Sequence, residues 1–172
     1  EHDRAGKVVA TVDAHGVRST IEYDDVMDHY ATVRIQAKEK VAPDGNVSPL
    51  PEAMKTTTEW NYRCGSAKTQ TGVNGQVSRK FYDPLCRVTR REEPLDQWET
   101  IDYREWGDPR EQHVVVQRPD KSGTGVYWEA YVLDGWGRNW RTEKKGPGSK
   151  IISSRTRFNE RGLPQAVSRD AY

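Results

Sequence analysis

The chain has 172 residues, of which 34% are hydrophobic and 31% charged, and its 27 basic and 26 acidic side chains leave a net charge of +1. That length suits one domain, or a section of a larger repetitive one, and excludes two full α/β domains. Near-neutrality excludes disorder driven by self-repulsion, and six Trp with eight Tyr supply the apolar area that a chain with two Phe otherwise lacks. β-Branched and aromatic residues dominate the apolar set, which predicts an all-β protein with aromatic rings carrying much of the core. No apolar run approaches the roughly 18 residues that span a bilayer, and the chain begins polar, without a signal-peptide core, so membrane insertion by this segment is not expected.

Along the chain, turn signals recur. Asp3-Arg-Ala-Gly6 opens it, and Asp13-Ala-His-Gly16 follows ahead of a strand ending at Tyr23. Residues 26–55, with Pro43-Asp-Gly-Asn46 and Pro49-Leu-Pro51, break the rhythm; a long strand through Tyr30 to Ala37 and then a Pro-rich loop are predicted there. From residue 56 onward aromatic anchors return at near-regular spacing: Tyr62, Tyr82, Tyr103, Tyr131 and Phe158. Behind them stand Arg-Cys-Gly65, Asp83-Pro-Leu-Cys86-Arg87, Arg-Glu-Trp-Gly107, Asp134-Gly-Trp-Gly137-Arg138 and Asn-Glu-Arg-Gly162. Midway between such turns lie Gly72-Val-Asn-Gly75 and Glu93-Pro-Leu-Asp96. This is a degenerate internal repeat.

About 20 residues hold two strands of six or seven and two short turns, so each unit is a β-hairpin. Asp after the anchor accepts backbone N–H bonds across the turn, Gly at its end takes positive φ without steric cost, and the following Arg closes back on the Asp. A single hairpin cannot bury its apolar face, so successive hairpins pair edge to edge. Tyr82, Asp83, Arg87, Asp134, Gly137, Arg138, Phe158 and Gly162 are therefore the repeat-turn residues, with a structural role.

Charge is uneven: residues 1–60 carry seven basic and eleven acidic side chains, net −4, and residues 61–172 carry 20 and 15, net +5. The basic stretch from Arg138 to Arg157 runs beside Trp136 and Trp140, but the balanced total offers little counterion release, so a nucleic-acid partner is not expected. The four His are isolated, the two Cys have no metal or redox spacing, and adjacent acids such as Asp24-Asp25 point to opposite faces of a strand. No catalytic residue, metal or cofactor is expected, and the chain is read as non-enzymatic. A competing reading makes it a self-contained carbohydrate-binding β-module, with Trp128, Trp136 and Trp140 as the sugar-stacking rings.

Tyr82-Asp-Pro-Leu-Cys-Arg-Val88 and Leu133-Asp-Gly-Trp-Gly-Arg-Asn139 resemble the Y-D-x-x-G-R signature of YD repeats, found in Rhs proteins and in the B and C components of insecticidal Tc toxin complexes. The stretch from Asp134 through Lys145-Gly-Pro-Gly-Ser-Lys-Ile151 to Phe158-Asn-Glu-Arg-Gly-Leu-Pro164 is similar to the long repeat of Tc-toxin-B-like and SpvB-like proteins. The resemblance covers about residues 1–25 and 56–172. It implies a YD-type hairpin unit over 1–25, an irregular insertion over 26–55 and a YD-repeat strip over 56–172. The implied fold is a continuous curved sheet of successive antiparallel hairpins, a section of a hollow shell around a toxic C-terminal effector. The implied partners are the remainder of the same toxin polypeptide, its encapsulated effector and other toxin-complex components, and the implied location is that of a secreted or exported bacterial toxin. Two departures stand out: Ser168-Arg-Asp-Ala-Tyr172 lacks the family's ending, and Cys86 occupies a turn position where the family has Gly. A left-handed residue with a Cβ costs roughly 1–2 kcal/mol, so that turn is strained or differently shaped.

Two further expectations concern chemistry and assembly. Equivalent turns of successive hairpins lie two strands apart, about 9.6 Å, beyond disulfide reach, which predicts free thiols at Cys64 and Cys86. Open sheet edges predict self-association, all the more if Val114-Val115-Val116 lies at one.

Overall fold

The computed structural model describes residues 1–51, 53–148 and 150–168. Among them are fourteen strands and no helix: β1 Ala10–Val12, β2 Val17–Tyr23, β3 Ala31–Val41, β4 Val47–Pro49, β5 Met54–Asn61, β6 Ser66–Thr71 and β7 Val77–Tyr82, followed by β8 Val88–Glu93, β9 Gln97–Arg104, β10 His113–Pro119, β11 Val126–Leu133, β12 Asn139–Lys145, β13 Ile151–Phe158 and β14 Pro164–Val167. Strand order follows chain order, except that β3 passes to β5 while β4 pairs with β3 off that path. The turn chemistry explains this order, because a connection of a few residues can join only antiparallel neighbours. The all-β, hairpin-by-hairpin expectation is met, and Tyr82-Asp83 and Asp134-Gly135 enter turns as predicted. The chain forms two compact units, Glu1–Lys80 and Phe81–Tyr172.

In the first unit, the predicted strand through Tyr30 to Ala37 begins at Ala31 and runs on to Val41. Its first half pairs with β5, from Val33↔Thr57 to Gln36↔Met54, and its second half pairs with β4, from Glu39↔Pro49 to Val41↔Val47. Leu50 N donates to Lys38 O at 3.0 Å between the two stretches. Residues 26–55 thus contribute a lengthened hairpin arm, and the break between β4 and β5 falls where Pro51 has no N–H to donate. The chain reverses at Ala42–Asn46, where Gly45 takes φ 83°.

Bulges recur just before the anchor turns. Pairing slips between Glu22 and Tyr23, Glu59 and Trp60, Val132 and Leu133, and Arg157 and Phe158. Each slip leaves an extra residue in the strand that follows the turn: Thr32, Lys68, Trp140 or Gln165. A bulge adds local twist and reverses the alternation beyond it, which simple period-two reading does not anticipate.

Among the described residues the buried apolar side chains are Ala10, Val115, Ala130 and Val132, and no large side chain is fully buried. Most aromatic anchors are half-buried against neighbouring strands. Val114-Val115-Val116 lies in β10, paired on both sides by β9 and β11, and so is protected from the edge hazard.

The free-thiol expectation is corrected: both Cys64 and Cys86 are disulfide-bonded, and no cysteine is free. The expectation measured turn centre to turn centre. Cys64 precedes β6 and Cys86 follows β7, and β6 pairs directly with β7, so the relevant separation is one strand spacing of about 4.8 Å. That lies within the reach of a disulfide.

Candidate functional site

The repeat-turn residues share one geometry. In Asp134–Arg138, the Asp134 N–H donates to Arg138 O at 2.9 Å and Gly137 N to Asp134 O at 2.9 Å. The Asp134 carboxylate accepts from Trp136 N at 2.9 Å and Arg138 N at 3.0 Å, and Arg138 Nε donates to its second oxygen at 2.8 Å. Asp83–Arg87 repeats this bond for bond: Leu85 N and Arg87 N reach Asp83 Oδ1 at 2.9 Å, and Arg87 Nε reaches Oδ2 at 2.7 Å. Cys86 stands where Gly137 stands, at φ 62° against 75°. The turn keeps its shape, and Cys86 bears the left-handed strain.

Asp3–Lys7 and Asn159–Leu163 are variants of the same device. Asp3 accepts from Ala5 N and Lys7 N at 2.9 Å with Lys7 as the closing cation, whereas Asn159 accepts from Arg161 N and Leu163 N at 3.0 Å with no cation at that place. Burial alone raises the pKa of Asp83 and Asp134, but the backbone donors and the paired guanidinium outweigh it and hold both carboxyls below the usual range.

The closing cation also reaches forward to the next anchor. Lys7 Nζ lies 4.8 Å from the Tyr23 ring centroid, the Arg87 guanidinium 4.1 Å from Tyr103, and the Arg138 guanidinium 4.5 Å from Phe158. The Tyr hydroxyl completes the link: Tyr23 OH donates to Val8 O at 3.0 Å and Tyr103 OH to Val88 O at 3.3 Å, in each case the carbonyl just after the cation. Phe158 has no hydroxyl to donate. Each link ties a turn to the hairpin after it, a relation invisible to a motif read within one unit. Its sequence signal is the offset from cation to anchor, sixteen residues for Lys7 to Tyr23 and for Arg87 to Tyr103.

Tyr131 lacks such a cation, because Gln112 closes the preceding turn and its amide donates to Asp134 O at 2.6 Å. Instead Tyr131 OH and Tyr127 OH donate to Glu129 at 2.8 and 2.9 Å, and Arg118 meets the same carboxylate at 2.7 Å. Burial, and then the Glu129 carboxylate, push Tyr131 up to about 12.

The turn after Tyr23 is longer and more buried. Asp24, 5% exposed, accepts from Val26 N, Met27 N, His29 N and Tyr30 N at 2.6 to 3.1 Å. Burial raises its pKa, but the four N–H donors prevail and hold it far below the usual carboxylate range. Beside it Tyr30 packs on Trp60 and Tyr62 with centroids 4.7 and 5.7 Å apart, and Trp60 Nε1 donates to Ala31 O at 3.0 Å.

The three tryptophans of the sugar-binding reading are not brought together. Trp128 lines a depression over β10 to β12, Trp140 lines another beside β13 and β14, and Trp136 projects from its turn 86% exposed. Trp140 is the bulged residue of its strand. No group of three or more His, Cys, Asp or Glu that could hold a metal occurs among the described residues.

The fold and its linked turns define an all-β hairpin-repeat protein. No family model and no curated protein matches the chain. Among solved structures it is similar to a chain in the crystal structure of TcdB2-TccC3-Cdc42, a Tc toxin complex, with a TM-score of 0.50 and 12% identity, covering 96% of this chain and 10% of that one. The likeness is one of fold: a sheet of successive antiparallel hairpins.

Proposed function

We propose that the chain is a non-enzymatic wall segment of an Rhs/Tc-like toxin, contributing a strip of hairpins to a β-shell that encloses a C-terminal effector. The observation that carries this reading is the forward link, in which the cation closing one turn stacks on the anchor of the next hairpin. Such a device extends a sheet hairpin by hairpin without needing a second layer, which suits a wall. Fold similarity to a Tc toxin chain, of which this chain spans 10% in length, supports the same reading. On this proposal its partners are the rest of the toxin polypeptide and the other toxin components, its location is that of an exported toxin, and catalysis resides in the effector.

The test is made on the natural polypeptide that carries this sequence. The expected result is a chain of well over a thousand residues that forms hollow particles by negative-stain microscopy, with a C-terminal portion protected from protease until the particle is denatured. A natural chain ending near Tyr172, whose tryptophan fluorescence responds to soluble glycans, overturns the proposal in favour of the carbohydrate-binding module.

A further inference from the structure

The register of β9 to β12 assembles a second feature, unrelated to the linked turns. On one face Arg104, His113, Val132 and Arg141 stand side by side across four strands. The next row on that face is Asp102, Val115, Ala130 and Glu143, and beyond it lie Thr100, Gln117 and Trp128. The central strands thus offer an apolar floor of Val115, Ala130 and Val132, which are 8%, 7% and 5% exposed. Polar residues of β9 and β12 flank this floor, and over Ala130, the smallest residue of the patch, opens a concavity of about 450 Å³. That volume falls in the range of small-ligand sites.

The two ends of the concavity differ. Trp128 walls one end. At the other, Arg104, His113 and Arg141 are joined by Arg110 from the β9–β10 turn. Arg104 is neutralised by Asp102 at 2.6 Å. Among the described residues Arg110 has no ion pair; Arg141 is ion-paired with Glu143, Nε to Oε1 3.4 Å, but its buried Nε makes no hydrogen bond. His113 Nδ1 is 2.6 Å from Glu111 O, a carbonyl that can only accept, so this nitrogen is held by the backbone. The orphaned donor and the unpaired guanidinium call for an acceptor with negative charge. Glu111 and Glu143 stand on the same rim and repel a second charge. Val132 lies four residues beyond Trp128 along β11, about 13 to 14 Å at roughly 3.4 Å per residue.

We propose that this concavity binds a monocarboxylate with an apolar body, an arylalkyl or medium-chain carboxylate, its head at Arg110 and Arg141 and its body over Val115 and Ala130 toward Trp128. The site is independent of the shell reading and stands or falls apart from it.

Titration of the protein with phenylbutyrate, followed by calorimetry and tryptophan fluorescence, tests it, with phenylbutyramide, butyrate and phenylphosphate as comparisons. Saturable one-site binding is expected for phenylbutyrate, at least tenfold weaker for the neutral amide, for butyrate, which lacks the ring, and for the dianionic phenylphosphate. Arg110→Gln and Arg141→Gln each weaken phenylbutyrate at least tenfold, and Ala130→Leu, which fills the floor, abolishes its binding. Arg110 is exposed, so its variant keeps the strand circular-dichroism spectrum even if Ala130→Leu does not fold. Absence of saturable binding, equal binding of the amide, or unchanged affinity in Arg110→Gln overturns the proposal.

Discussion

The Arg87 guanidinium packs against an edge-to-face pair of rings, 4.1 Å from the Tyr103 centroid and 5.0 Å from Trp106, while its Nε donates to Asp83 at 2.7 Å. One side chain thereby closes its own turn and holds the anchor of the following hairpin. Lys7 does the same between Asp3 and Tyr23, and Arg138 between Asp134 and Phe158.

Separating the parts of this link gives a graded series. Tyr103→Phe keeps the ring under Arg87 and loses the bond to Val88 O, costing about 0.5–1.5 kcal/mol. Tyr103→Leu also loses the cation–ring contact, about 0.5–1 kcal/mol more. Urea denaturation of the two variants measures the order; equal stabilities would show that the hydroxyl alone matters.

Asp24 makes stability depend on acid pH. Its folded pKa is depressed, so its four N–H bonds contribute fully above the unfolded value of about 4, and the contribution is lost as pH falls through the folded value. Asp24→Asn therefore lowers the melting temperature at pH 7, and the gap from wild type narrows steadily below about pH 4. Melting curves at pH 7, 4 and 2 check this; a gap that does not change with pH would rule out the ionised carboxylate as its source.

The disulfide predicts no alkylation of the native chain without reductant and two labels per chain after reduction, read by intact mass. Closing the segment from Cys64 to Cys86 stabilises by about 3 kcal/mol in the chain-entropy estimate, so Cys64→Ser with Cys86→Ser lowers stability by that order. Cys86→Gly recovers part of the loss, because φ 62° suits Gly, and Cys64→Ser alone does not.

Two glycines separate backbone strain from crowding. Gly137→Ala places a Cβ at φ 75° in open space and costs about 1–2 kcal/mol. A Cβ at Gly162, besides its φ of 77°, stands 2.9 Å from an Arg138 guanidinium nitrogen, so the guanidinium must shift and its contact with Phe158 is disturbed. Gly162→Ala is therefore the more destabilising of the two, and adding Arg138→Gln to it costs less than Arg138→Gln does in wild type. A double-mutant cycle by denaturant melts measures that coupling.

Composition and turn chemistry by themselves determined the strand content, the hairpin rhythm and the places where the chain reverses, because the bonds of an Asp-x-x-Gly turn lie within five residues. Asp83 with Arg87, and Asp134 with Arg138, were legible for that reason. Tertiary structure decided what depends on neighbouring strands. It placed Arg87 on Tyr103, brought the strands beside Cys64 and Cys86 to one spacing, and put β4 and β5 on the same edge of β3. It also put Trp140 on a bulge that no local pattern marks and in a different depression from Trp128, while Trp136 projects from its turn. Interstrand register is a competition among long-range pairings, and a one-residue slip reverses the face of each side chain beyond it, so the anchors show in the sequence while the faces they build do not.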